Sequence, residues 1–110
     1  MEDKIYFYHL MNPEAASTFK YLIEKQTNVK HSLALIRYSK KLEEELNILK
    51  LKTKPIEEKI KEKDEESLKI LEQLLKEETM CEKLPYHLIE GIELSPEQVK
   101  AIFPFMKDFD

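Results

Sequence analysis

Three histidines, one cysteine and two acidic runs are the residues of this chain best suited to chemistry. None of His9, His31 and His87 lies three or four residues from another histidine or from Cys81, so zinc-ligand spacing is missing. His9 and His87 would meet near Cys81 only if the two segments that carry them paired; half-buried histidines fit the pattern better. A nucleophilic thiol needs a base or cation to lower its pKa, and nothing basic is arranged beside Cys81 in sequence. Glu43-Glu44-Glu45 and Asp64-Glu65-Glu66 could suggest carboxylate catalysis or cation binding. Catalytic carboxylates need a pocket that drives their pKa values apart, whereas consecutive acids on a helix point in different directions. These sit among lysines and read as solvated faces. A single glycine rules out a glycine-rich phosphate loop. The expectation is a protein with no catalytic residue, no metal ligand set and no cofactor.

Binding is the remaining chemistry. Lys30, Arg37, Lys40 and Lys41 lie near one another on one helical segment and could receive an anion such as a nucleotide, although a solvated surface explains them equally well. Nine aromatics, Tyr6, Phe7, Tyr8, Tyr21, Tyr38, Tyr86, Phe103, Phe105 and Phe109, gather toward the two ends and the start of the long helix. They are expected to pack the junction between elements, with some tyrosines free to line a pocket or a partner surface.

The elements that must position these residues are mostly helical. Val29 to Glu78 has no glycine, one proline (Pro55) and dense Glu and Lys. Leu35, Tyr38, Leu42, Leu46 and Leu49 recur at three and four residues, which is one apolar stripe. Ile56 and Ile60 continue it in phase beyond Pro55. The spacing therefore predicts a long helix over 29–62, kinked near Pro55, then a polar turn (KEKDEE) and a return helix over 65–79. Val29 to Lys52 alone would extend about 36 Å, against about 27 Å for the diameter of a compact domain of this size. This helix should project beyond the core or be covered by another chain, so its stripe residues are the candidate partner-binding set.

The flanks are shorter. Lys4 to Leu10 alternates aromatics and predicts a strand over 4–10. Asn12-Pro13-Glu14 starts a helix over 13–25. Residues 81–89 read as extended, with Pro85 at an edge, and could pair with 4–10. Gly91 marks a turn. Ser95-Pro96-Glu97-Gln98 is a capping box that opens a C-terminal helix over 96–106, bent or ended by Pro104. The predicted architecture is a single domain over 1–110, mainly α (α+β): a long helical hairpin with a base of one or two short strands and a C-terminal helix.

Composition agrees with that shape. A chain of 110 residues suits one domain with a modest core. Hydrophobic residues at 42% and charged residues at 36% fit helices with one apolar stripe. The net charge of −4 and a single arginine among 18 basic residues argue against sequence-specific nucleic-acid recognition. No segment has the length of a membrane span, the acidic N-terminus lacks a signal-peptide core, and a single cysteine fits a reducing cytoplasm.

The ordered set LALIRYSKKLEEELNILK, KEKDEE, LLKEET, MCEKLPYHLI and EGIELSPEQVKAIFPFMKD resembles a family of small uncharacterised proteins of tailed phages and prophages, mostly of Gram-positive bacteria. The likeness spans most of the chain and is strongest from Glu90 to Phe105. The Thr53-Lys54-Pro55 interruption departs from the family pattern. The resemblance implies a viral protein acting in the cytoplasm of an infected bacterium, and no functional residue can be carried over from it. The expected function is a non-enzymatic interaction or assembly protein that works through its hairpin, with a protein partner or a second copy of itself. The alternative is a counter-defence protein that inhibits a host immune protein or sequesters a small nucleotide signal.

Overall fold

The computed structural model describes residues 4–107. The fold is mainly α, with one small parallel sheet. In chain order the α-helices are α1 (Phe7–Leu10), α2 (Pro13–Lys25), α3 (Val29–Thr53), α4 (Glu57–Lys61), α5 (Glu65–Leu75) and α6 (Pro96–Ile102); the strands are β1 (Leu84–Pro85) and β2 (Met106–Lys107).

Short polar side chains start four of the helices. Asn12 Oδ1 accepts from Glu14 N at 3.0 Å and Asn28 Oδ1 from His31 N at 3.1 Å. Asp64 Oδ2 accepts from both Ser67 N (3.1 Å) and Ser67 Oγ (2.8 Å), which holds the Asp64 carboxyl below its ordinary range. Ser95 and Gln98 form the reciprocal capping box, with bonds of 2.8 and 3.2 Å. Such caps satisfy the free N–H groups of a first turn, and each contributes roughly 1 kcal/mol.

Four expectations need correction. Residues 4–10 are not a strand. Tyr6 makes one isolated antiparallel bridge to Glu78, with Phe7 N donating to Glu77 O (3.0 Å) and Thr79 N to Ile5 O (2.8 Å). The chain then turns into α1, where His9 Nδ1 accepts from Tyr6 N at 3.1 Å. A lone two-stranded ribbon is marginal, and the local helix keeps Phe7 buried all the same. Second, the return helix ends at Leu75, short of residue 79, because residues 77–79 are spent on that pairing. Third, 81–89 does not pair with 4–10. Only Leu84–Pro85 is a strand, parallel to β2 in the register Leu84↔Met106, and Tyr86–Leu88 is a 3-10 turn. Fourth, the C-terminal helix stops at Ile102; Pro104 sits in the 3-10 turn Phe103–Phe105, which leads into β2. The long helix, by contrast, is interrupted where the sequence places its kink: at Pro55 it passes through the 3-10 turn Lys54–Ile56 before α4. Proline cannot donate the bond that α geometry requires there.

The core surrounds the first half of α3. Phe19 from α2 stands edge-on to Phe105 (5.5 Å between ring centres) and tilted against Tyr38 (5.7 Å). Ile5, Leu22, Leu35, Ile89 and Ile102 complete the fully buried set. The Gln26 side-chain amide donates to the Leu88 carbonyl and ties the end of α2 to the strap before α6. The other half of α3, with α4 and α5, reaches away from this core, and the molecule measures 47 × 26 × 24 Å. The hairpin is closed by Lys52 Nζ to Glu77 Oε2 at 3.2 Å and by Met80 N to Glu45 Oε1 at 2.8 Å.

The hairpin turn carries backbone strain. Lys63 adopts a φ of 60°. Asp64 N donates to Lys59 O and Lys63 N to Ile60 O, both at 3.0 Å, completing the paired bonds of a helix end that favours glycine at this position. A side chain with a Cβ is disfavoured in that left-handed conformation. Lys63→Gly is therefore expected to stabilise the fold by about 0.5–1 kcal/mol, after the cost of a looser unfolded chain. Urea unfolding of the variant measures this, and a fall in stability would contradict it.

Candidate functional site

The apolar stripe of α3 divides into two jobs. Leu35 and Leu49 are buried and Tyr38 packs against the core, its hydroxyl donating to Phe105 O at 3.4 Å. These three of the expected partner-binding residues are therefore occupied within the chain. Leu42 and Leu46 are half-buried and line open space. A cavity of about 370 Å³ is lined by Phe19, Ser39, Leu42 and Glu43, among others. A second, of about 740 Å³, continues along Leu49, Thr53, Ile60 and Leu71. Both share Leu10, Asn12, Ala16 and Leu46, so they form one groove between the start of α2 and the outward half of α3.

Local sequence builds this groove. Pro13 at the first turn of α2 sets the entry angle of the chain, and Ala16 is small enough to leave space above Leu46. The turn at Pro55 carries Ile60 of α4 to the far end, where Leu71 of α5 forms part of the lining. The floor is aliphatic. Its rim is charged: Glu43 at the core end, then Lys50, Lys54 and Lys61 with Glu57 at the far end.

A second polar cluster lies beneath the strap that follows α5. Glu45 is only 2% exposed, although the run Glu43-Glu44-Glu45 reads in sequence as a solvated face. Its carboxylate accepts from the N–H of Met80. Its position in phase with Leu42 and Leu49 was the signal that it faces inward. Thr79 Oγ1 donates to Ile5 O (2.8 Å) and accepts from Cys81 N (3.2 Å). Burial pushes the Cys81 thiol up, and the Glu45 carboxylate adds to that. Burial likewise drives the Tyr38 phenol far above its ordinary value. Both groups are held protonated, the opposite of what a nucleophile or base requires.

The remaining candidates are dispersed. Lys30, Arg37, Lys40 and Lys41 are all exposed on α3. By the 3.6-residue repeat all four fall within an arc of about 100° on one side of the helix, with Lys40 at its edge next to Arg37. His9 lies against Tyr8 and Phe105, and burial followed by the nearby Lys83 lowers its pKa. His87 instead meets His31, 5.6 Å between ring centres, so His9 and His87 are not brought together. Among the described residues, no three of His, Cys, Asp and Glu converge as a metal site, and no helix is long and apolar enough to cross a membrane. Phe109 lies outside the described residues. No family model, curated protein or solved structure matches this chain.

The buried thiol has a pH consequence. Its pKa is raised in the folded chain, so the unfolded chain loses that proton first, near pH 8.5, and stability falls as pH rises beyond that point. Denaturant unfolding of the wild-type chain and Cys81→Ser between about pH 7 and 9.5 is expected to show a steeper alkaline loss for the wild type. Parallel curves would contradict the shift.

Proposed function

We propose that this chain is a non-enzymatic interaction protein that seats an amphipathic helix of a partner protein in the groove between α2 and α3. The observation that carries this reading is the continuous aliphatic floor from Leu42 to Leu71, open to solvent and wide enough for side chains. An amphipathic helix meets such a floor with anchors at i, i+3, i+4 and i+7. Three lysines against one glutamate at the far rim favour a helix whose acidic end lies over Lys50, Lys54 and Lys61. The likeness of EGIELSPEQVKAIFPF to the phage and prophage family supports a cytoplasmic setting in an infected bacterium, with a host or viral protein as partner. An anion-binding role has less support, since Lys30, Arg37, Lys40 and Lys41 are all exposed on the helix surface.

A designed helical peptide with leucines at i, i+3, i+4 and i+7 and a glutamate-rich end tests the reading by calorimetric titration. Saturable binding in roughly the micromolar range is expected. Ala16→Arg, an exposed position common to both halves of the groove, should weaken it at least about tenfold. Replacing the peptide glutamates by lysine should also weaken it. Equal binding by the Ala16→Arg variant, or by the lysine peptide, would refute the assignment.

A further inference from the structure

Helix α3 has a second face, turned away from the core and the groove. It carries Leu33, Ile36, Lys40, Glu44, Ile48 and Leu51. Their separations are three, four, four, four and three residues, the same from either end. Two apolar residues lie at each end, a lysine in one half and a glutamate in the other. Leu33 is 47%, Ile48 42% and Leu51 70% exposed. Ile36 is half-buried, and Lys40 and Glu44 are exposed.

A face with this symmetry is complementary to an antiparallel copy of itself. With a two-fold axis between Lys40 and Glu44, Leu33 of one chain meets Leu51 of the other and Ile36 meets Ile48. Lys40 meets Glu44, and each contact occurs twice, as an isologous interface requires. Beside this seam, Arg37 stands opposite Asn47. A parallel pairing would instead set Lys40 on Lys40 and Glu44 on Glu44. Within one chain the two charges are four residues apart, yet neither takes part in an ion pair among the described residues. Lysine before glutamate is the weaker order for such a pair, which leaves both charges available to a second chain.

We propose that the protein forms a two-fold dimer through this outer face of α3, with the helices antiparallel and centred between Lys40 and Glu44. The contact runs about 27 Å along each helix, at the small end of specific interfaces, so dissociation in the micromolar range is expected. The dimer uses the side of α3 opposite Leu42, Leu46 and Leu49, so both grooves stay open. This inference stands on a different surface from the groove reading, and either can fail without the other.

Sedimentation equilibrium of the full chain between about 5 and 500 µM tests it. A monomer–dimer equilibrium is expected. Lys40→Glu and Glu44→Lys should each weaken dimerisation at least about tenfold, the double variant should recover to within about threefold, and the two single variants mixed together should form a heterodimer. Both positions are exposed, and circular dichroism checks that the helices persist. Three results would overturn the proposal: a monomer across the whole range, a dimer indifferent to the single reversals, or a double variant no better than the singles.

Discussion

Helix α3 packs one side and leaves the other bare, and the rest of the architecture follows from that asymmetry. Its 25 residues are longer than any other helix described here, so no single element can cover it. Leu35 and Tyr38 face inward and collect Phe19, Phe105 and Ile102 on one end. A fully buried leucine stabilises by roughly 1.5–3 kcal/mol, enough for this half to define the core. The inner side of the distal half is covered only in part, by the start of α2 and by α4 and α5, and the groove is the part of that side left open.

The return path is held by polar contacts more than by apolar packing. Glu45 reaches the N–H of Met80, Thr79 bridges Ile5 and Cys81, and Lys52 meets Glu77. The exposed pair contributes at most about 1 kcal/mol. The buried Glu45 and Thr79 bonds matter more, since an orphaned buried partner costs about 1–3 kcal/mol. These bonds fix where α5 ends and where the strap crosses α3, which in turn encloses Cys81 and the Tyr38 ring.

Helices α2, α3 and α6 were legible in sequence because caps and periodicity agreed: Asn12 with Pro13, Asn28 with the leucine stripe, Ser95 with Gln98. The leucine stripe of α3 was legible as a face but not as two jobs, since period alone does not tell which leucines another element of the same chain will cover. The strand reading of 4–10 failed for a similar reason. Alternating aromatics fit a strand, while the backbone partners of that segment, Glu77 and Thr79, lie some seventy residues away. Glu45 shows the limit from the other side: its charge argued for solvent, its phase argued for burial, and a single backbone N–H decided the matter.

The central claim is that α3 serves the fold with one face and leaves the opposite one open to solvent. Solvent paramagnetic relaxation of leucine methyl groups, measured on a dilute sample, reads both faces at once. The account predicts strong broadening at Leu33 and Leu51, little at Leu35 and Leu49, and intermediate values at Leu42 and Leu46. Protection of Leu33 and Leu51 in the dilute monomer, or strong broadening at Leu35 and Leu49, would contradict it.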